Sequence, residues 1–197
     1  MLNLLGFIPA LPLLGFLLLT FLRSRMTERS STIIGVGSIF LAAILTALIG
    51  ADFLNNPPKS GYISQTLWIW MDVGGFAPKV AIYIDGLSLT LLGVITGVGF
   101  LIHAFAAGYM HNDEGFARFF AYMNLFVAAM LVLVLADNLL LMYLGWEGVG
   151  LASYLLIGFW YENVDNGNAA RKAFIITRIG DTLMAVGLFI LFTQLNT

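Results

Sequence analysis

A carboxylate stands near the middle of a long apolar run: Glu147, in Tyr143-Leu144-Gly145-Trp146-Glu147-Gly148-Val149-Gly150. The run, about 138 to 160, is long enough to cross a bilayer as a helix rising roughly 1.5 Å per residue. Glu147 then lies roughly 14 Å from the nearer helix end, too deep to snorkel to water. An ionisable group at that depth is costly, and its default reading is a proton or ion pathway. Tyr143, Glu147, Gly150 and Tyr154 recur at spacings of four, three and four, on one helix face. The glycines either side of Glu147 let a neighbouring helix or water approach the backbone closely. A structural glutamate satisfied by partner hydroxyls is the plainer alternative, but burying a carboxylate merely for packing is thermodynamically poor.

Arg178 and Asp181 stand three residues apart in the last apolar run, on adjacent parts of one face. Such a pair neutralises itself and could simply pin two helices. Beside Glu147 on the preceding helix, it could instead tune the proton affinity of that carboxylate or its partner. On the third run, Gly93, Thr96, Gly97 and His103 share one sector of about 120°. His103 is a candidate relay about two turns from a helix end, with a hydrogen-bonded packing histidine as the rival reading. Gly93 and Gly97 also form a small-xxx-small pair, which predicts a close helix contact. His111, beside Asp113 and Glu114, is expected to be solvated, and Lys172 to snorkel. Asp85 and Asp137 fall at helix starts, where N-capping is explanation enough.

Other chemistries find no support. The chain has no cysteine, which removes thiol nucleophiles, disulfides and Cys-ligated iron–sulfur clusters. It has no Gly-rich phosphate loop after a strand, no zinc helix motif and no Ser–His–acid set. No metal site and no cofactor site are expected on it. A net charge of −2 could not neutralise many phosphates, so no nucleic-acid partner is expected.

The elements that must position these residues are transmembrane. Hydrophobic residues make up 60% of the chain and charged ones 10%, with a mean hydropathy of +0.93; a soluble domain carries nearer a quarter charged. The fold class expected is all-α, a polytopic helical bundle within one membrane domain, 1–197. Spans are predicted at about 3–22, 32–51, 86–108, 117–136, 138–160 and 171–194. The first is read as a retained span, since no basic stretch precedes it and no small-residue cleavage site follows. Between the fourth and fifth lies only Asp137-Asn138, a tight helical hairpin. The external loop 52–85 contains turn signals at Asn55-Asn56-Pro57-Pro58 and Val73-Gly74-Gly75. Its strand formers, Tyr62 to Trp70, predict a short β-hairpin at the membrane surface. Arg23, Arg25, Arg29, Arg118, Arg171 and Lys172 follow the odd-numbered spans, against Lys59 and Lys79 on the other side. That asymmetry puts the odd loops in the cytoplasm and both termini of the segment outside.

These residues together resemble one family. Asp85-Gly86-Leu87-Ser88, His103 with Gly108-Tyr109-Met110, Arg118-Phe119-Phe120-Ala121-Tyr122 and Gly145-Trp146-Glu147-Gly148-Val149-Gly150 look like the antiporter-like membrane subunits of respiratory complex I. Lys172-Ala173-Phe174 with Thr177-Arg178-Ile179-Gly180-Asp181 looks like the largest, distal member among them. The resemblance implies a proton-translocating subunit of an NADH:quinone oxidoreductase in the bacterial inner membrane. It implies no redox centre here, with FMN, iron–sulfur clusters and quinone on partner subunits. Glu147 matches the family's key glutamate, which works with a lysine on a later, broken helix. Arg178 and Asp181 match the positions that tune that pair. Family members carry more than a dozen spans in inverted repeats, so this chain is expected to be the N-terminal portion of a longer subunit. A sodium/proton antiporter subunit and a structural membrane spacer remain as rivals.

Overall fold

The computed structural model describes residues 4–72 and 77–195. Six helices follow one another: α1 (Phe7–Phe21), α2 (Glu28–Asn55), α3 (Gly86–Tyr109), α4 (Phe116–Leu135), α5 (Leu139–Ile157) and α6 (Val164–Leu195). Between α2 and α3 lie β1 (Ile63–Ile69) and β2 (Lys79–Ile84), an antiparallel pair running from Ile63 opposite Ile84 to Ile69 opposite Lys79. The expected hairpin therefore forms, with its register shifted between Thr66 and Trp68. The turn expected at Val73-Gly74-Gly75 lies outside the described residues.

Helices α2 to α6 are each long and apolar enough to cross a membrane. The first predicted span is shorter than expected. Residues 4–6 form a turn, and α1 has 15 residues, about 22 Å at the helical rise against a hydrocarbon core of about 30 Å. In compensation it is packed, burying Ile8, Pro12, Gly15 and Leu19 along one stripe. The last span is longer than expected: α6 starts at Val164 and has 32 residues.

Local chemistry sets the starts. Thr27 and Ser30 form a capping box on α2. Asp85 and Ser88 do the same on α3, with the Ser88 amide donating to Asp85 Oδ1 at 2.8 Å. That backbone bond holds the Asp85 carboxyl below its ordinary range. At α5 the cap is Asn138, whose Oδ1 accepts from the Leu141 amide at 2.9 Å. Asp137, expected as a cap, instead accepts from the Ser64 hydroxyl at 3.2 Å. One residue of register decides this, because the α4–α5 turn is tied down by the hairpin. Ala136 bridges Ile82, the Asp137 amide donates to Ala81 O at 3.2 Å, and Asn138 Nδ2 donates to Lys79 O at 2.7 Å.

The core lies between α1, α2, α3 and α4, where Leu5, Ile8, Ile39, Leu92 and Leu131 are closed off at one end by Ile82 and Ile84 of β2. A fully buried polar node crosses it. Asn124 donates to Phe120 O at 2.9 Å and Gly35 O at 3.2 Å, and accepts from Ser38 Oγ at 2.5 Å. At the opposite end from the hairpin, the α1–α2, α3–α4 and α5–α6 loops gather. Glu28 meets His111 at 2.8 Å, Trp160 donates to Asp113 at 2.9 Å, and Arg118 donates to Phe159 O at 3.3 Å. His111 is thus 66% exposed yet paired, not simply solvated.

Helix α5 lies on α4 through its glycines. A Cβ at Gly145 would sit 2.5 Å from Leu133 N, and one at Gly148 2.9 Å from Ala129 Cβ. The close contact expected at Gly93 and Gly97 is not made there: added Cβ atoms would meet nothing within 4 Å. Those two face away from the bundle, while Thr96 and His103, in the same sector, are buried. Helix α6 hangs on α5, with only Ala170 and Asp181 buried.

Candidate functional site

The face of α5 that carries Tyr143, Glu147 and Tyr154 is the face that meets α6. The helices run antiparallel, so successive turns pair in order. The Tyr154 ring lies 5.3 Å from that of Phe174, Glu147 meets Arg178, and Tyr143 OH donates to Asp181 O at 3.4 Å. Gly145 and Gly148 put their bare side against α4, and the face with Tyr143, Glu147 and Tyr154 is left to meet α6.

Arg178 Nη1 donates to Glu147 Oε2. The Glu147 side chain is 17% exposed and that of Arg178 43%, and the guanidinium also stacks 4.8 Å from the Phe174 ring centre. The three-residue spacing of Arg178 and Asp181 suggested a self-neutralising pair. The geometry replaces it: among the described residues the ion pair of Arg178 is with Glu147. Asp181, 5% exposed, takes its hydrogen bond from Trp146 Nε1 at 2.7 Å. Each anion therefore has its own donor. Glu147 Oε1 is buried and has no hydrogen-bond partner among the described residues, which leaves one acceptor position open.

Beside this cluster is a cleft of about 550 Å³ lined by Trp146, Gly150, Tyr154, Thr177, Asp181 and Met184, among others. A largely buried carboxyl beside a cation, with one oxygen left to accept, has the chemistry to take up, hold and release a proton.

His103 is elsewhere. It is buried between α3 and α4, with Nδ1 2.7 Å from Gly99 O and Nε2 without a partner among the described residues. Its neighbouring cavity of about 300 Å³ shares only Met130 with the lining of the first. The structure brings together Glu147, Arg178 and Asp181 and leaves His103 apart from them. Lys172 is exposed, toward the loop-rich end. Trp146 is the site residue that sequence reasoning missed. Its place next to Glu147 was visible, but its hydrogen-bond partner depends on the α5–α6 register.

Comparison with known proteins shows what the chain is similar to. Residues 70–120 match the model described as NADH-Ubiquinone oxidoreductase (complex I), chain 5 N-terminus. Residues 136–197 match NADH:quinone oxidoreductase/Mrp antiporter, TM. The chain is 59% identical over 195 residues to NADH-quinone oxidoreductase subunit L of Escherichia coli (strain K12), covering 99% of this chain and 32% of that one. It is 58% identical to the subunit of the same name from Pseudomonas aeruginosa, again over 99% and 32%. It is 36% identical to NAD(P)H-quinone oxidoreductase subunit 5 of Paulinella chromatophora, over 96% and 29%. A solved structure of the membrane-bound sulfane sulfur reductase, an archaeal respiratory membrane complex, shares the fold. Its TM-score is 0.75 at 19% identity, over 96% of this chain and 28% of that one. The chain spans about a third of the length of the curated relatives it matches. With its match to both family models and 59% identity over 99% of its residues to a subunit L, this chain belongs to the family of antiporter-like membrane subunits of NADH:quinone oxidoreductase.

Proposed function

We propose that this chain is a proton-translocating part of an NADH:quinone oxidoreductase membrane subunit, relaying protons through Glu147 without carrying a redox centre. The observation that supports it most is the partly buried Glu147 carboxylate, 17% exposed, paired with Arg178 on one oxygen and, among the described residues, without a partner on the other, buried one. A carboxylate so placed gains or loses a proton as the cation beside it approaches or withdraws. Arg178 sets that balance, and Asp181 places a second carboxyl one turn along. His103 is a secondary relay candidate from its Nε2, which has no partner among the described residues.

FMN, iron–sulfur clusters and quinone belong to partner subunits in this reading, and the other membrane subunits are its neighbours in the bilayer. It places the chain in a bacterial inner membrane. The gathering of the Arg-bearing loops at one end supports a cytoplasmic placement for that end, with the segment's termini periplasmic.

Glu147→Gln tests the relay. The amide keeps shape and hydrogen bonding but cannot titrate. Redox-driven proton uptake in membrane vesicles, at equal complex content, is expected to fall sharply; uptake at the unsubstituted rate would overturn the relay and favour a spacer role. One matched model also covers Mrp antiporters, so the second reading is a sodium/proton antiporter subunit. Sodium-dependent exchange that needs no redox substrate would favour it.

A further inference from the structure

Two consecutive side chains of α5 reach two different groups of α6. Glu147 takes Arg178, while Trp146 Nε1 donates to Asp181 Oδ1 at 2.7 Å. Arg178 and Asp181 are three residues apart on one helix, a spacing that lets side chains meet. A buried carboxylate without a donor draws the nearest cation, because leaving it unpaired is costly. Asp181 is buried and Arg178 is the nearest cation in sequence. Yet among the described residues no ion pair joins them, and the guanidinium serves Glu147.

We propose that Trp146 is a positioning residue: by holding Asp181 with its indole N–H, it leaves Arg178 to Glu147. The choice of residue fits the task. An indole N–H is a donor only and does not titrate, so it keeps its hold through every protonation state of Glu147. A histidine or lysine at 146 would add a second exchangeable proton beside the first. A phenylalanine would fill much of the space and donate nothing. Without the N–H, Asp181 recruits Arg178 along its own helix, and Glu147 loses the cation that sets its proton affinity. Trp146 also lines the cleft shared by α5 and α6, so its ring fixes the wall against which that exchange would occur.

This inference rests on the relay reading of Glu147, and its test separates the two. In the full-length subunit within the assembled complex, Trp146 is replaced by benzothienylalanine, in which sulfur takes the place of the N–H at nearly constant shape. A second replacement, 5-fluorotryptophan, keeps the donor. Redox-driven proton flux is normalised to complex content. The benzothienyl form is expected to lose about tenfold in flux, the scale of one lost hydrogen bond to a charged group. The fluorinated form is expected to stay within about twofold of the unsubstituted complex. The fluorine resonance of that second form is expected to move on Asp181→Asn and to stay in place on Lys172→Gln. Equal flux in the two forms, or a resonance indifferent to Asp181→Asn, would overturn the positioning role. Where Glu147→Gln abolishes pumping and the benzothienyl form pumps normally, only this inference fails. Where Glu147→Gln pumps normally, the relay reading fails with it.

Discussion

Arg178 on α6 donates across the helix interface to Glu147 on α5, while Asp181, one turn further along α6, is held by a neutral indole. The cation thus serves the acid on the neighbouring helix rather than the one on its own. Removing Arg178 leaves a carboxylate, 17% exposed, without its cation. We expect Arg178→Gln to destabilise the fold by about 1.5–3 kcal/mol, the range for a lost hydrogen bond to a charged group. The double substitution Glu147→Gln with Arg178→Gln should cost less than the sum. Thermal unfolding of the four forms measures the coupling, and strict additivity would show that the two side chains act independently.

Gly145→Ala should loosen the α4–α5 seam. Its Cβ would lie 2.5 Å from the Leu133 backbone nitrogen, and backbone cannot swing aside as a side chain tip can. A cost of about 1–3 kcal/mol is expected from such overpacking. Gly150→Ala, whose Cβ would meet nothing within 4 Å, should be close to neutral. The thermal midpoint of the complex distinguishes them.

Asn124→Ala should destabilise by about 1–3 kcal/mol, since it strips the Ser38 hydroxyl and the Gly35 carbonyl of a buried partner. Adding Ser38→Ala should cost less in that background than in the unsubstituted chain, because the Ser38 hydroxyl then keeps only its bond to Gly35 O at 3.0 Å. An equal cost in the two backgrounds would show that the bond between Ser38 and Asn124 contributes nothing.

The cap of α3 carries a pH dependence. The Ser88 amide lowers the Asp85 carboxyl from its ordinary 3.8, so the folded state favours the ionised form. Its contribution is fully present above the ordinary value and is lost as pH falls through the lowered one. Asp85→Asn keeps a capping oxygen without the charge. It should flatten the acid side of the stability–pH curve, measured by thermal unfolding from neutral pH down to about pH 3.

Orientation is open to chemical labelling. Ser24→Cys, in the loop after α1, should react with an impermeant thiol reagent only from the cytoplasm, and Ser60→Cys, before the hairpin, only from outside. The reverse pattern would invert the topology.

The helices were legible because each hydrophobic run is about as long as a bilayer is thick, and the hairpin because its strand formers lie between turn residues. Side-chain partnerships were not, and the reason is register. Asp137 and Asn138 are equally good caps by type, and the hairpin's grip on Ala136 and Lys79 decides between them. Gly93 and Gly97 have a spacing suited to close packing, but spacing does not say which side of α3 faces α4. Gly145 and Gly148 make that contact on α5 instead. Likewise Arg178 reads as the partner of Asp181 until the α5–α6 register puts Glu147 within reach.

Helix α6 runs from Val164 to Leu195 as one uninterrupted helix, and it has a kinetic consequence. With no proline or break between Lys172 and Asp181, Arg178 and Asp181 ride on one stiff rod. Their backbone positions cannot change relative to each other without melting a turn. Any exchange of partners by Arg178 is therefore a side-chain rotamer change that first breaks its pair with Glu147 and its stacking on Phe174. In the relay reading such an exchange needs no backbone movement, so its pace would be set by the free energy of breaking the Glu147 pair and not by a rearrangement of α6.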